Sequence, residues 1–269
     1  MKRHHSVPPL ATRVEAFRVF ETLRGSLSRK EVVESVSNRY GVTKTTVYHW
    51  YKGSDPFGDR AGRVSKVPEL LYVLGALLGD GCAYLWHHQF QLWLVGEEEF
   101  TTKFAAKLSV CLGRKVGHYK YGGKNAWFVK VENAELFLLF GAARKNHYLV
   151  RRLIADVAPL RGWIEFVEGF FDAEGCVKVI RGKERRIPKI CLDFCNTDSD
   201  LLEIAREGLG KFGIESNMSA QHCMPPRKTS YHLRIYSKSG VAKFLATFHT
   251  TKLTGPKKPF VDIWLTKKR

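Results

Sequence analysis

Hydrophobic and polar positions follow the same order twice between residues 67 and 248. An almost wholly apolar helix over 67–80 precedes two strands, a helix, two more strands and a helix that ends near residue 140. A second apolar helix, Trp163–Glu174, starts the same series again, and residues 144–160 connect the two. Because strand alternation and helical spacing recur in this order, we predict an α+β fold of two pseudo-symmetric αββαββα repeats.

Residues 10–66 have a different pattern and predict a small all-α unit. Ser28 and Glu31 match a capping box at the start of a second helix, and Thr43 can cap a third. Gly41 marks the tight turn between these two helices. The predicted domains are 1–66 (helical unit and linker), 67–158 (first repeat and connector) and 159–269 (second repeat).

Positive charge is concentrated at the two ends of the chain. The 269 residues include 44 Lys and Arg against 26 Asp and Glu, a formal net charge of +18. Residues 1–66 hold 13 basic and 6 acidic side chains, residues 67–224 hold 20 and 19, and residues 225–269 hold 11 and 1. This distribution favours a nucleic-acid partner, because bound phosphates release counterions. A solubilising basic surface is the alternative.

Composition excludes several other classes of protein. A hydrophobic content of 44% is sufficient for a packed core. No apolar run approaches the roughly 20 residues that span a bilayer, and the N-terminus lacks the apolar stretch of a secretory signal. The six cysteines form no C-x-x-C pair. We therefore expect an intracellular (cytoplasmic), thiol-reduced protein without membrane contact.

The first helix of each repeat ends in a carboxylate followed by glycine. The two sequences are VLGALLGDG over 73–81 and VEGFFDAEG over 167–175. Small residues lie four apart on each helix, Gly75 with Gly79 and Gly169 with Ala173, so we predict that the two helices pack closely together. The final glycine is expected to permit the backbone conformation that leaves the helix.

Asp80 and Glu174 thus lie where carboxylates are unfavourable. Each is at the negative end of a helix dipole, and close packing of the helices would make the two acids repel. A bound Mg²⁺ or Mn²⁺ would compensate both charges, since hard cations prefer carboxylate and carbonyl oxygens. Metal-assisted phosphodiester hydrolysis is the chemistry that this arrangement favours. A solvated acid at the end of a buried helix is the alternative.

The stretches LYVLGALLGDG and FVEGFFDAEGCV resemble the two signature helices of the LAGLIDADG homing endonuclease family. The resemblance covers about residues 67–269. Two motifs in one chain imply the monomeric form, with two sheets that form a saddle-shaped surface over double-stranded DNA. It also implies site-specific cleavage of both strands. Some relatives instead act as intron RNA maturases or as non-catalytic transcription regulators.

The resemblance also assigns roles to individual residues. Asp80 and Glu174 match the metal-binding acids of the family, and Gly79 and Ala173 are further metal-binding candidates. The first motif departs from the family pattern at Leu78-Gly79. The basic residues implied over the scissile phosphates are Lys145 and Lys257, with Lys258 and Lys252 as substitutes. The residues implied to order the attacking water are Glu97, and Thr197 or Asn196.

Two sets of side chains are predicted to contact DNA. On the polar faces of the strands these are Gln89, Gln91, Lys120, Lys130, Lys178, Arg181, Lys189, His232 and Arg234. The stretch SRKEVVESVSNRYGVTKTTVYHWYK over 28–52 resembles a helix-turn-helix of resolvases and regulators. Its implied core is Val32, Val33, Val42, Val47 and Trp50, and its implied groove-facing residues are Thr43, Lys44, Thr45, Thr46, Tyr48 and His49. A solvated sheet face and an ordinary helical hairpin are the respective alternatives.

The sequence therefore predicts a monomeric, metal-dependent double-strand DNA endonuclease of the homing type. A non-catalytic DNA-binding regulator and an intron RNA maturase, with RNA as its partner, remain alternatives. An acid retained at the end of both motifs favours the enzyme, because a regulator needs neither.

Overall fold

The structure is a computed structural model that describes residues 8–54, 56, 63–86, 89–122, 125–180, 189–222, 224, 226, 228–254 and 257–266. The chain divides into two compact units, Met1–Gly62 and Arg63–Arg269. Within the described residues, no helix has both the length and the apolar character needed to cross a membrane. The predicted boundary between the two repeats, at residue 158, stays a prediction.

The first unit contains three helices, α1 (Leu10–Leu23), α2 (Arg29–Tyr40) and α3 (Lys44–Tyr51). The predicted capping box is present, with Ser28 and Glu31 bonded reciprocally at the start of α2. Gly41 ends α2 at φ 66°, in the left-handed region that favours glycine. The five predicted core residues are buried, together with Ala16, Phe20 and Val36. The sequence therefore predicted both the boundaries of α2 and α3 and the core beneath them.

The second unit contains the predicted repeated series of elements. The first repeat consists of α4 (Pro68–Asp80), β1 (Gly81–Trp86), β2 (Gln89–Gly96), α5 (Glu98–Leu112), β3 (Tyr119–Lys120), β4 (Trp127–Glu132) and α6 (Ala134–Lys145). The connector is itself a helix, α7 (His147–Val157). The second repeat consists of α8 (Pro159–Glu174), β5 (Gly175–Ile180), β6 (Lys189–Asn196), α9 (Ser199–Lys211), β7 (Asn217–Gln221), β8 (Ser230–Ile235) and α10 (Lys238–Thr247). A 3₁₀ turn (Thr251–Leu253) and α11 (Lys258–Thr266) follow, and the sequence did not predict α11.

Each repeat forms one four-stranded antiparallel sheet with the same strand order. The orders are β1-β2-β4-β3 and β5-β6-β8-β7. The registers also correspond, since Cys82 pairs with Trp93 in the first sheet and Cys176 pairs with Asp193 in the second. Trp93 and Asp193 therefore occupy equivalent positions in the two sheets.

The helices α4 and α8 pack against each other along their small residues. A Cβ atom added to Gly75 would lie 2.5 Å from the carbonyl oxygen of Phe166, and one added to Gly169 would overlap the carbonyl oxygen of Tyr72. No side chain fits at either position, so the helix backbones are in direct contact. The predicted close packing of the two motif helices is confirmed.

The glycine after each motif helix has a different reason from the predicted one. Gly81 and Gly175 have φ values of −80° and −78°, which any residue adopts. A Cβ atom on Gly81 would lie 2.6 Å from the carbonyl oxygen of Leu77, and one on Gly175 would overlap that of Phe171. Glycine is needed here for space, because the chain turns back closely over the last turn of the helix.

Candidate active site and DNA-binding surface

The close packing of α4 and α8 brings the two motif acids together. A Cβ atom on Gly79 would lie 2.5 Å from the Cβ atom of Ala173 and 3.6 Å from Oε1 of Glu174. Asp80 follows Gly79 directly, so its side chain leaves the backbone next to the side chain of Glu174. The Glu174 carboxylate also accepts a hydrogen bond from Nδ2 of Asn196 at 2.7 Å. Two acids 94 positions apart in the chain therefore share one site.

Burial makes both carboxylates weaker acids than usual. Burial and then the negative charge of Asp80 raise the pKa of Glu174 to about 7, although the Asn196 amide and the Lys252 ammonium act in the opposite direction. Burial also raises the pKa of Asp80, again against the effect of Lys252. The protein therefore compensates these two negative charges only in part.

These acids fit a divalent cation. Their oxygens are the hard donors that Mg²⁺ and Mn²⁺ accept, and a cation would compensate the charge that burial and mutual repulsion disfavour. The peptide groups of Gly79 and Ala173 lie beside the acids, where the two helices touch. The predicted metal-binding residues are thus brought together, and their role stays a prediction.

A cleft of about 620 Å³ opens beside Glu174. Its walls come from the end of α4, the end of α6, the start of α9 and the strand β8. Its lining residues are Leu78, Gly79, Arg144, Glu174, Cys195, Asn196, Thr197, Asp198, Ser199, Leu201, Lys228, Ser230 and Tyr231. Asn196 and Thr197, predicted to order water, both line it. Glu97, their counterpart in the first repeat, is exposed just before α5 and makes no capping hydrogen bond with its side chain.

Of the four predicted basic residues, the substitute Lys252 is the one whose charge acts on the two acids, and the roles of all four stay predictions. Lys252, in the 3₁₀ turn, is close enough to lower the pKa of both Asp80 and Glu174. Lys257 instead has its ammonium nitrogen 3.8 Å from the sulfur of Cys176, on the face of the second sheet. Lys145 is exposed at the end of α6, and its neighbour Arg144 lines the cleft. Lys258 is exposed at the start of α11.

The predicted DNA-facing residues of the sheets share one face, with one exception. Directly opposed residues in a sheet point to the same side, and the registers place seven of the predicted residues on the side away from the helices. Lys120 is the exception, because Tyr119 pairs with Phe128 and Lys120 pairs with Trp127. Side chains alternate, so Lys120 points to the opposite side and Tyr119 takes the predicted place. Arg181 lies outside the described residues.

The second sheet holds a buried acid that sequence reasoning missed. Asp193 is 1% exposed on the predicted DNA-facing side. Its carboxylate lies 3.1 Å from Nδ1 of His232 and accepts a hydrogen bond from Nε of Arg234 at 3.2 Å. Lys178 forms an ion pair with the same carboxylate. An acid in the middle of the otherwise apolar strand KICLDFCN was the available signal.

The first sheet presents aromatic rings at the corresponding place. Trp93 stacks on Phe128 with ring centroids 5.6 Å apart. The ammonium of Lys130 lies 4.7 Å from the centroid of the Trp93 ring, on a neighbouring strand. Gln91, another predicted contact, is only 6% exposed and bonds to Gln89, which places it among the packed residues.

The family comparison agrees with this geometry. The family model described as a LAGLIDADG-like domain matches residues 164–248. The matched range begins in α8 and ends just after α10, and it includes Glu174 and Asn196.

The second repeat is a LAGLIDADG-like domain. The resemblance stated from the sequence is thus confirmed for this part of the chain. The equivalent elements and strand order of the first repeat complete the two-repeat α+β fold.

Several solved structures are similar to this chain. A mesophilic variant of the homing endonuclease I-DmoI is 21% identical at a TM-score of 0.48, over 67% of this chain and 90% of that one. I-DmoI in complex with DNA and Mn is 20% identical at a TM-score of 0.49, over 68% of this chain and 97% of that one. The meganuclease I-SmaMI bound to uncleaveable DNA is 11% identical at a TM-score of 0.49, over 77% of this chain and 90% of that one. No curated protein sequence matches the chain. The chemistry of this protein therefore has to be argued from its own residues.

The predicted groove-facing residues of the helical unit divide into two groups. The hydroxyl of Thr43 accepts a hydrogen bond from the backbone N–H of Thr46 at 3.1 Å, so it caps α3. Tyr48 is 39% exposed, with the guanidinium of Arg29 5.1 Å from its ring centroid. Thr43, Lys44, Thr45 and His49 are also exposed, and Thr46 is half-buried. The assignment of this unit as a DNA-binding helix-turn-helix stays a prediction.

A second group of potential metal ligands lies outside α4 and α8. Nε2 of His147 lies 3.2 Å from a carboxylate oxygen of Asp198, and Nδ1 lies 3.6 Å from one of Asp200. One ligand atom from each of the three residues lies within 4.8 Å of the other two, an arrangement that exposed acidic groups commonly adopt without an ion. This contact joins the start of α7 to the start of α9.

Proposed function

We propose that this protein is a site-specific endonuclease that hydrolyses phosphodiester bonds in double-stranded DNA. The observation that carries the proposal is the pair of carboxylates on the exposed Asp80 and the half-buried Glu174, which come from different repeats and lack full compensation of their charge. A stable fold alone gives no reason to keep two acids in such a position.

Asp80 and Glu174 would hold Mg²⁺ or Mn²⁺, with Gly79 and Ala173 contributing from the adjoining backbone. When bound, such a cation activates water and stabilises the leaving oxygen of a phosphodiester. The Asn196 amide holds the Glu174 carboxylate in a fixed orientation through its 2.7 Å hydrogen bond. The Lys252 ammonium, whose charge lowers the pKa of both acids, would bind the phosphate and stabilise its developing negative charge.

The duplex would lie on the exposed faces of the two sheets. Lys130, Lys178 and Arg234 supply positive charge there, and a sheet ribbon can enter the major groove. Residues 225–269 add a net charge of +10, from 11 basic and 1 acidic side chains. One chain carries both repeats, so we propose that it acts as a monomer.

Two alternatives are less well supported. A non-catalytic regulator could use the same sheet faces, but it would have no need for Asp80 and Glu174. No observation favours intron RNA as the partner, so the proposal is limited to double-stranded DNA. We further propose that α3 extends the DNA contact, through Lys44, Thr45, Tyr48 and His49 with the capping residues Thr43 and Thr46.

The proposal is tested on a library of duplexes that carry a randomised segment of about 25 base pairs. Wild-type protein with Mg²⁺ should select a subset of sequences, whose cut ends are then captured and sequenced. The selected duplex should remain intact when the metal is omitted, and it should remain bound. Absence of cutting with Mg²⁺ and with Mn²⁺, alongside sequence-specific binding, would establish the regulator instead.

A further inference from the structure

A buried polar network holds the segment 248–254 against α8. The backbone N–H of Thr251 donates to Oδ1 of Asp172 at 2.6 Å, and its hydroxyl donates to the same oxygen at 3.0 Å. The backbone N–H of His249 donates to Oε1 of Glu168 at 2.7 Å. The Asp172 side chain is fully buried and that of Glu168 nearly so. Two acids of the second motif helix therefore anchor the chain that follows α10.

Side chains from the first repeat complete this network. The ammonium of Lys103, on α5, lies 3.0 Å from Oε2 of Glu168 and 3.2 Å from Oδ2 of Asp172, and it also donates to the carbonyl of His249. The hydroxyl of Tyr72, on α4, donates to Oδ2 of Asp172 at 2.8 Å. Each carboxylate is thus paired and hydrogen-bonded, which is the condition under which buried charges are retained.

The repeated fold does not require these acids. Alignment of Gly75 with Gly169 places Leu74 opposite Glu168 in the two motifs, and it places Leu78 opposite Asp172. Leucine fills both places in the first repeat. In the second repeat, the two acids bind the segment 248–254.

Lys252 follows Thr251 directly, and its positive charge lowers the pKa of both motif acids. We propose that Asp172 is a positioning residue, which fixes Lys252 over Asp80 and Glu174 by holding the backbone and hydroxyl of Thr251. The Lys103 ammonium pairs with Asp172 at 3.2 Å, so the first repeat helps to set the geometry of a lysine that belongs to the second. This inference rests on the proposed endonuclease function.

A matched control exists in the same pair of helices. Glu165 on α8 forms an ion pair with Lys107 on α5, at 2.6 Å, and its side chain is also nearly buried. Among the residues that the structure describes, Glu165 makes no hydrogen bond to segment 248–254. Glu165→Gln therefore reports the cost of weakening a buried α5–α8 ion pair without disturbing the position of Lys252.

The test compares Asp172→Asn with Glu165→Gln by hydrogen–deuterium exchange and by cleavage. For Asp172→Asn we expect exchange in peptides covering 248–254 to rise at least about tenfold. Cleavage should slow by about 10- to 100-fold, with duplex affinity in the absence of metal changed less than about twofold. Glu165→Gln should leave both readouts close to wild type.

A double-mutant cycle identifies the route of the effect. If Asp172 acts through Lys252, then Asp172→Asn should change the residual cleavage rate of a Lys252→Ala protein by less than about twofold. Independent, multiplicative losses would overturn the inference. Should Asp172→Asn fail to fold, Thr251→Ala should show the same losses in smaller measure, and Thr251→Ser should restore wild-type values.

The two proposals fail in different ways. A wild type that cleaves no duplex removes the endonuclease and the positioning role together. An active wild type whose exchange in 248–254 is unchanged by Asp172→Asn removes the positioning role alone.

Discussion

The two repeats fill the same position of their sheets with opposite chemistry. Trp93 in the first sheet and Asp193 in the second occur at equivalent points of the register, and each faces a basic residue on the next strand. The Lys130 ammonium lies 4.7 Å from the centroid of the Trp93 ring, and Nε of Arg234 lies 3.2 Å from the Asp193 carboxylate. One sheet therefore orders its cation over an aromatic ring, and the other uses a buried acid.

This difference shows that the fold specifies where a basic side chain is held. It does not specify whether an aromatic ring or a carboxylate holds it. An aromatic ring attracts a cation weakly and leaves an apolar surface, which suits contact with thymine methyl groups and base faces. A buried carboxylate binds several cations more firmly and fixes their directions. We therefore expect the second sheet to contribute more of the ionic part of DNA binding.

The acids at the ends of the two motif helices also differ in their polar contacts. Asn196 donates to the Glu174 carboxylate, whereas the equivalent residue of the first repeat, Gly96, has no side chain that could serve Asp80. The second repeat therefore carries more polar support for its acid, and the two acids can be tested against each other.

The largest expected effect concerns these two acids. Asp80→Asn and Glu174→Gln should each reduce cleavage of a selected duplex by about a thousandfold, roughly 4 kcal/mol, because each removes a charged metal ligand. DNA affinity without metal should be retained. Single-turnover cleavage measures the rate, and Glu98→Gln, at an exposed acid of α5, is the control. A wild-type rate in either variant would exclude that acid from the reaction.

The next effect contrasts the centres of the two sheets. Asp193→Asn leaves Lys178, His232 and Arg234 without their shared counter-charge, so the free energy of unfolding should fall by about 3 kcal/mol. Trp93→Phe keeps a ring and should cost about 1 kcal/mol. Urea denaturation at neutral pH measures both changes. Equal losses in the two variants would contradict the comparison of the sheets.

A smaller effect depends on pH. The pKa of Glu174 is raised to about 7 from 4.5, so the folded state binds a proton that the unfolded state releases between these values. The metal-free protein should therefore lose stability as the pH rises from about 5 to 8, by about 2 kcal/mol once partial screening by solvent is allowed for.

Thermal unfolding in the presence of a chelator measures this change. Glu174→Gln, which cannot ionise, should lack most of it. Cleavage should also decline as the pH falls through about 7, because protonated Glu174 is a poor metal ligand. A stability that is flat over this range would show that Glu174 is ionised throughout.

The smallest effect is the salt dependence of binding. Arg234→Gln should weaken duplex binding by about tenfold and reduce the slope of log K against log salt by about 1, whereas Lys130→Gln should have about a third of that effect on affinity. Fluorescence anisotropy between about 50 and 200 mM salt measures both. If Lys130→Gln changes the slope more than Arg234→Gln does, the first sheet and not the second contributes more of the ionic part of DNA binding.

The sequence was sufficient to predict the features that depend on neighbouring residues. Helical and alternating periods identified the two repeats, Ser28 with Glu31 identified the start of α2, and small residues four apart on α4 identified the helix contact. These features depend on spacings of a few residues, which the chain itself displays. Meeting of Asp80 and Glu174 followed from that contact, because each acid ends its own helix.

Only the tertiary structure decided which long-range partners meet. The charge of Lys252 acts on the two acids because the network around Asp172 fixes the path of the chain after α10. Lys120 points away from the predicted DNA-facing side because of the register of the short strand β3, which its sequence does not indicate. A register or loop path is selected by the packing of the whole unit, whereas a helix period or a cap is selected locally. The sequence therefore determined the repeats and their acids, and tertiary packing determined the cations that surround them.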